Sequence, residues 1–494
     1  MCGLCGMFES GRRWLDAAAT LDSAQVRRER LRRVAIVRQV LKSARIAVDD
    51  CHGASFVLRG PTGRSEIVDN LFDLWRKAEV LGHRNLDPLT QPFSLPPSAP
   101  SRSDRMNSAV RPRESGDPGP RTPHVALDPR LPGNERGESG ASDTPAGRIP
   151  VHVLTGFLGS GKTTLLNRIL RDPRLADSAV LINEIGAIAI DHHLVERMEQ
   201  GDALDVVVLK GGCACCTVRG DLVEALRELY ARRADGTLPP FRRVVLETTG
   251  LADPAPVLFT LVRDPVLRHK FEAAAVTATV DAVHGVSQAE RHTEWRKQVA
   301  VADYLIITKT DLTQASETAA LAAQLARMNP PARIVDTRDA IDLGRLLADA
   351  RTLTTLRHVS RPAHELNSES HAGGHARGAD HTQDIDSVAV VLKEPLEWSA
   401  FAIWLTLLLH AHGNRILRFK ALLDIAGWPA LVALSAVHHL IHPPIHLRAA
   451  AGEPRASRLV FIAQGLQLAG IERSLCGFLA SAAGVERMMA QSPV

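Results

Sequence analysis

The sequence predicts an α/β protein built on a doubly wound parallel sheet, followed by a smaller α+β C-terminal domain and preceded by a small α+β N-terminal unit and a disordered linker. Three observations predict it. Apolar, β-branched runs ("VHVLT", "AVLINEIG", "LDVVVLK", "FRRVVLETTG", "AAVTATVDAV", "ADYLIITKTDL") alternate with helical patterns from residue 149 to residue 356. Strands that are apolar on both faces and separated by helices belong to a parallel sheet covered on both sides. Composition then shifts twice, to Pro, Gly, Ser and Arg between the first two units and to His and Gly before the last. The boundaries that follow are 1–90 for the N-terminal unit, 91–148 for the linker, 149–356 for the main domain, 357–385 for a His-rich tether and 386–485 for the C-terminal domain.

Bulk properties narrow the function. A chain of 494 residues suggests about three domains. With 59 basic and 55 acidic residues the net charge is only +4, so no concentrated positive field points to nucleic acid. The N-terminus "MCGLCGMFESGRRW" lacks a secretory apolar stretch, and the longest apolar run, residues 400–409, is too short to cross a bilayer. A cytoplasmic protein with no membrane partner is expected. In that reducing compartment, seven cysteines with tight clustering argue for metal or thiol chemistry over disulfides.

Taken in order, the N-terminal unit reads as a helix ("LDSAQVRRERLRRVAIVRQVLKSA"), a short extended stretch ("GASFVLRG") and a second helix ("EIVDNLFDLWRKAEVL"). Cys2, Cys5, Cys51 and His52 have ligand types and paired spacing that suit Zn²⁺. "MCGLCG" also resembles the start of class II glutamine amidotransferases, whose fold needs more chain than precedes the linker. The linker has too little apolar surface to offset its ordering entropy, and residues 111–138 resemble translated palindromic repeats of bacterial genomes.

The main domain opens on "GFLGSGKT", residues 156–163, directly after the strand "VHVLT" and directly before a helix, which is the context that confirms a P-loop. Gly156, Gly159 and Gly161 let backbone amides curl around phosphates. Ser160 and Thr164 flank Lys162, which reaches the β and γ phosphates, and Thr163, which offers a hydroxyl to Mg²⁺. Glu247 ends "VVLE", where a carboxylate can organise Mg²⁺ or its water. "TKTD" supplies Thr308, Lys309 and Asp311; Asp311 can accept two hydrogen bonds from the guanine edge, which adenine does not offer. The stretch resembles the N-K-x-D motif of GTPases with Thr in place of Asn. Finally, "GGCACCT" sets Cys213, Cys215 and Cys216 within four positions, a soft donor set for Zn²⁺, Cu⁺ or an iron–sulfur cluster.

Together, "GFLGSGKTT", "INEIG" followed by Asp191, "GGCACCT", "ETTGLADPAP" and "TKTDL" resemble, in order and spacing, the CobW-like GTPases, and the C-terminal "ILRFKALLDIAG" and "SRLVFIAQGL" look like the CobW C-terminal domain. The resemblance covers residues 148–466. It implies a P-loop NTPase fold and GTP hydrolysis coupled to binding and delivery of Zn²⁺ or Co²⁺. The cysteines are the implied metal ligands, with Glu184 and Thr163 on Mg²⁺, and Lys162, Thr163, Glu184 and Glu247 the implied catalytic set. Two departures, Ile185 for the usual Phe and Ala189 for Gly, fall in the loop that answers to the γ-phosphate. Expected partners are GTP and a client metalloprotein or cobalamin-pathway enzyme; homo-oligomers are compatible with the reading. A metal-sequestering protein with a vestigial GTPase, and an assembly factor dedicated to one metalloenzyme, are the alternatives. His364, His371, His375 and His381 suit loose metal capture in the tether, whereas His438, His439, His442 and His446 suit core or turn roles.

Overall fold

The computed structural model describes residues 23–51, 55–90, 148–175, 177–185, 206–211, 218–338, 347, 385–447 and 455–491. It begins with helix α1 (Ser23–Leu41), then strands β1 (Ala47–Cys51), β2 (Ser55–Arg59) and β3 (Ser65–Val68), then helix α2 (Leu71–Gly82). The three strands form an antiparallel sheet in sequential order. The sequence pattern started the second helix at Glu66. In the structure residues 65–68 pair with β2 instead, and the helix starts where the Asn70 side chain accepts the Asp73 amide at 2.9 Å.

The nucleotide domain follows as β4 (Ile149–Gly156), α3 (Lys162–Leu170), β5 (Ser178–Ile185), β6 (Val206–Gly211), α4 (Val218–Ala234), β7 (Arg243–Glu247), α5 (Ala255–Arg263), α6 (Leu267–Lys270), β8 (Phe271–Asp281), α7 (Gly285–Arg291), α8 (Thr293–Val301), β9 (Tyr304–Thr308), α9 (Ala315–Met328) and β10 (Arg333–Asp336). Seven strands pair in the order β10-β9-β8-β4-β7-β5-β6, all parallel. Along central β4, Val151 and Val153 pack toward α4 and α5 while Leu154 packs toward Leu165 and Leu166 of α3. Burial on both faces explains why these strands read as unbroken apolar runs.

The C-terminal part comprises β11 (Ile385–Leu392), α10 (Trp398–His412), β12 (Ile416–Leu423), β13 (Leu431–Val437), β14 (Leu440–Ile441), β15 (Ile445–Leu447), β16 (Ser457–Gln464) and α11 (Ala469–Gln491). Its antiparallel sheet runs β11-β16-β12-β13-β14, with β15 also on β13. One face carries α10, with Phe419 and Phe461 below Trp404. The other face meets the nucleotide domain through Leu417, Leu422 and Val460 against Ala300. A bulge between Ile416 and Arg418 lets Leu417 and Arg418 both turn toward that face.

Helix α10 is buried at every position from Ser399 to Leu409. A helix apolar all round must be covered all round. Its second cover is the N-terminal unit: α1 and α2 pack on α10, and their buried residues join a single hydrophobic cluster with those of α10 and the C-terminal sheet.

Candidate nucleotide-binding site

The parallel sheet delivers its functional residues along one edge, the carboxyl ends of the strands, where ligands bind in open α/β sheets. β4 ends at Gly156, β5 at Glu184 and Ile185, β6 at Gly211, β7 at Glu247 and β9 at Thr308. The loop from Gly156 to Lys162 is shaped by three glycines with φ of 142° (Gly156), 70° (Gly159) and 90° (Gly161). At Gly156 space is as restrictive as φ: a Cβ there would lie 2.3 Å from Thr279 Oγ1 and 2.7 Å from Ser160 Oγ. Gly161 caps α3, so the helix dipole and free amides point into the loop.

Polar side chains hold this cradle to neighbouring strands. Ser160 Oγ and Thr279 Oγ1 hydrogen-bond at 2.7 Å, and Thr308 Oγ1 donates to the Ser160 carbonyl at 2.7 Å. Thr308, which stands where the GTPase motif has Asn, therefore ties the loop after β9 to the glycine loop after β4. The ammonium of Lys162 donates to the carbonyls of Gly156 (3.0 Å) and Phe157 (3.2 Å), within the loop that a phosphate chain would fill. Thr163 Oγ1, one position on, donates to Glu247 Oε1 at 3.0 Å, and Glu247 is 6% exposed. A hydroxyl and a carboxylate oxygen paired at the loop mouth fit Mg²⁺, which takes hard oxygen donors; bound there it would neutralise charge on the β and γ phosphates. Thr164 continues the first turn of α3, exposed.

In the loop after β9, Lys309 adopts φ 57° and its ammonium donates to Asp281 Oδ2 at 2.7 Å. Asp281 is 1% exposed, and its other oxygen accepts the Val283 amide at 2.8 Å. The following turn is pinned where Thr310 Oγ1 donates to Asp336 Oδ1 at 2.6 Å. Burial raises the Asp336 carboxyl, but hydrogen bonds from Arg338 and Thr310 outweigh it and leave the group below its ordinary value. Asp311 lies in the short helical turn Thr310–Leu312, exposed at the mouth of the site.

The structure thus brings together Gly156, Gly159, Ser160, Gly161, Lys162, Thr163 and Glu247, with Lys309 and Asp311 on the adjoining loop. Glu184 lies on β5 with its backbone paired to Lys210; its side chain is outside the described atoms. Cys213, Cys215 and Cys216, with Asp191, Ala189, Cys2, Cys5, His52 and the four tether histidines, lie outside the described residues. The C-terminal histidines take turn and packing roles. His439 Nδ1 lies 2.7 Å from the Leu409 carbonyl at the end of α10, His438 Nδ1 lies 3.0 Å from that of Gly413, and the His446 ring stacks on Trp428. Sequence reasoning missed Thr279, Asp281 and Gly250. Gly250 lets the loop after β7 press on the phosphate loop, because a Cβ there would lie 2.8 Å from the Leu158 amide nitrogen. Asp281 did carry a signal, an acid ending an apolar strand as Glu247 does.

A parallel sheet with a strand-ending glycine loop, an invading lysine and a Thr–Glu pair at its mouth defines a P-loop nucleotide hydrolase. Residues 150–336 match the model of the CobW/HypB/UreG nucleotide-binding domain and residues 385–479 that of the cobalamin synthesis protein CobW C-terminal domain. The zinc chaperone YjiA of Escherichia coli is 35% identical over 295 residues, 59% of this chain and 87% of that protein. The zinc chaperone CobW of Pseudomonas aeruginosa is 32% identical over 373 residues, 70% of this chain and 95% of that protein. A crystal structure of a Zn(II)-bound triple mutant of the YjiA GTPase superposes with a TM-score of 0.50 at 29% identity, over 67% of this chain and 99% of that one. The chain belongs to the CobW/HypB/UreG family of P-loop GTPases.

Proposed function

We propose that this GTPase is a metallochaperone that binds Zn²⁺, with Co²⁺ as the alternative ion, through Cys213, Cys215 and Cys216 and passes it to a client metalloprotein in a step governed by GTP. The observation that carries the reading is positional. β6 ends at Gly211, two residues before Cys213 in the sequence, and runs parallel beside β5, whose end bears Glu184. Both strands end on the edge of the sheet where β4 delivers the phosphate loop, and the sulfur motif follows β6 in the sequence. Its relatives are named zinc chaperones and zinc-regulated GTPase metalloprotein activators.

In this reading Lys162 and the loop amides hold the β and γ phosphates, Thr163 and Glu247 hold Mg²⁺ and its water, and Asp311 selects guanine. Glu184 answers to the γ-phosphate, and the cysteine loop changes geometry with it. Metal affinity then differs between the GTP and GDP states, and the metal must shift nucleotide affinity by the same factor. The test is titration of Co²⁺ and Zn²⁺ into the GTP-loaded and GDP-loaded protein, following thiolate charge-transfer bands for cobalt. Tight binding that differs between the states, and disappears when all three cysteines become Ser while GTP still binds, is the expected result. Equal affinity in both states would reject the coupling, and tight metal binding by the Ser variant would reject the ligands.

A further inference from the structure

The family models leave residues 1–149 unmatched, yet residues 23–90 are integrated into the matched C-terminal domain. We infer that the outer face of α10, with the adjoining part of α11, is a protein-docking surface, and that residues 23–90 are its ligand, bound through side-chain contacts that do not need the covalent connection through residues 91–147.

The contact has a centre and two ends. At the centre, Trp75 of α2 is fully buried and its indole Nε1 donates to Thr406 Oγ1 at 3.2 Å, midway along α10. Beside it, Trp404 Nε1 donates to Ser474 Oγ of α11 at 3.0 Å, and that hydroxyl donates to the Pro88 carbonyl at 2.6 Å, so both C-terminal helices engage the N-terminal segment. At the start of α10, Arg33 Nε donates to Ser399 Oγ at 3.0 Å, and the Arg32 guanidinium lies 3.7 Å from Glu397, the carboxylate that caps α10. At its end, His410 Nε2 pairs with Glu79 Oε2 at 2.9 Å and His412 Nε2 with Asp87 Oδ1 at 2.8 Å. A buried aromatic anchor with a hydrogen bond, ringed by polar pairs, is the anatomy of a protein–protein interface.

Neither side is self-sufficient. Among the described residues the N-terminal segment offers two α-helices and three short strands, and its buried residues there fall in the same cluster as those of α10. A unit of that size builds at best a marginal core alone. On the other side, α10 without its cover would present a continuous apolar helix face of the kind that marks a docking site. The partner this surface fits is therefore a small module with an apolar two-helix face, an indole at its centre, arginines toward the start of α10 and carboxylates toward its end. Here that partner is supplied in the same chain, which closes this face of the C-terminal domain to any client.

The test uses the full chain with a site-specific protease sequence inserted within residues 111–138. After complete cleavage the two fragments should co-elute in size exclusion at the mass of the uncut protein at micromolar concentration. Separation of the fragments with the C-terminal one still folded by circular dichroism would overturn the inference. In the cleaved protein, Trp75→Phe, which retains the apolar bulk but loses the bond to Thr406, should weaken association about tenfold, and Trp75→Ala at least a hundredfold. Unchanged association of the Trp75→Ala fragments would overturn it as well.

Discussion

The two faces of the C-terminal sheet are held by opposite chemistry. Toward α10 and the N-terminal module the contact is apolar and aromatic, with Trp75, Phe401 and Trp404 fully buried. Toward the nucleotide domain it turns on three buried ions. Asp303, just ahead of β9, lies 2.5 Å from Arg418 and 2.8 Å from Lys420 of β12, with Lys420 only 1% exposed. Asp303 Oδ2 also accepts the Val276 amide at 2.9 Å, so one carboxylate joins β8, the start of β9 and the C-terminal sheet. The apolar face tolerates repacking of similar volume, whereas the ionic face favours one register, because Asp303 is satisfied only when the two β12 cations and the Val276 amide meet it together. β9 carries Thr308 at its far end, so the strand that leads to the phosphate loop's Thr308 tie is also the one attached to the C-terminal sheet by ions.

The largest effect that would test this contrast is loss of the carboxylate. Asp303→Ala leaves two cations buried without their anion and should cost about 3–5 kcal/mol in urea unfolding. A loss below about 1 kcal/mol would mean water reaches the site and the ions are not what fixes the interface. On the apolar face, Trp75→Ala should cost about 3 kcal/mol through cavity formation, and more of that cost should vanish in the presence of a refilling residue at neighbouring positions than on the ionic face.

Acid separates the regions by pH window. His152, on central β4, is 2% exposed, and among the described residues neither ring nitrogen has a hydrogen-bond partner. Burial, with the nearby Arg243 charge, lowers its pKa from 6.5 to about 3. The unfolded chain takes up this proton first, so stability is full above pH 6.5 and falls below it, by about 2 kcal/mol at about pH 5. His152→Leu should flatten that slope in thermal melts between pH 7 and 5. For Asp303, burial raises the pKa, but Arg418 and Lys420 outweigh it and bring it from 3.8 to about 2. A depressed carboxyl stabilises above pH 3.8 and loses that contribution as pH falls toward 2, again about 2 kcal/mol. The nucleotide domain should therefore weaken before the ionic contact does.

How much of this could be read from the chain follows from the range of each interaction. The P-loop, Glu247 and the strand–helix alternation were legible because each is a local pattern with a local cause. The apolar run "AFAIWLTLLL" of α10 is plain in the sequence, but not its second cover, because Trp75 and Thr406 are 331 residues apart. Thr308 was recognised as a departure from the Asn motif, but its bond to Ser160 spans 148 residues. Nothing local marks Arg418 and Lys420 as buried, because their partner Asp303 lies 115 residues from Arg418. β3 sits inside a helical pattern, since Ile67, Val68, Leu71 and Phe72 repeat at a spacing of four, and only its pairing with β2 makes residues 65–68 a strand.

The smallest expected change is the most discriminating. Replacing the triad together, by Asp303→Leu, Arg418→Met and Lys420→Met, removes the cost of burying three charges along with their attraction, and should leave stability within about 1 kcal/mol of the parent. If the ions serve register more than strength, amide exchange along β12 and β9 should nonetheless quicken in this variant while that of α10 stays unchanged. Exchange that is equally slow on both faces would show that apolar packing alone sets the register, and the contrast between the two faces would be one of composition and not of function.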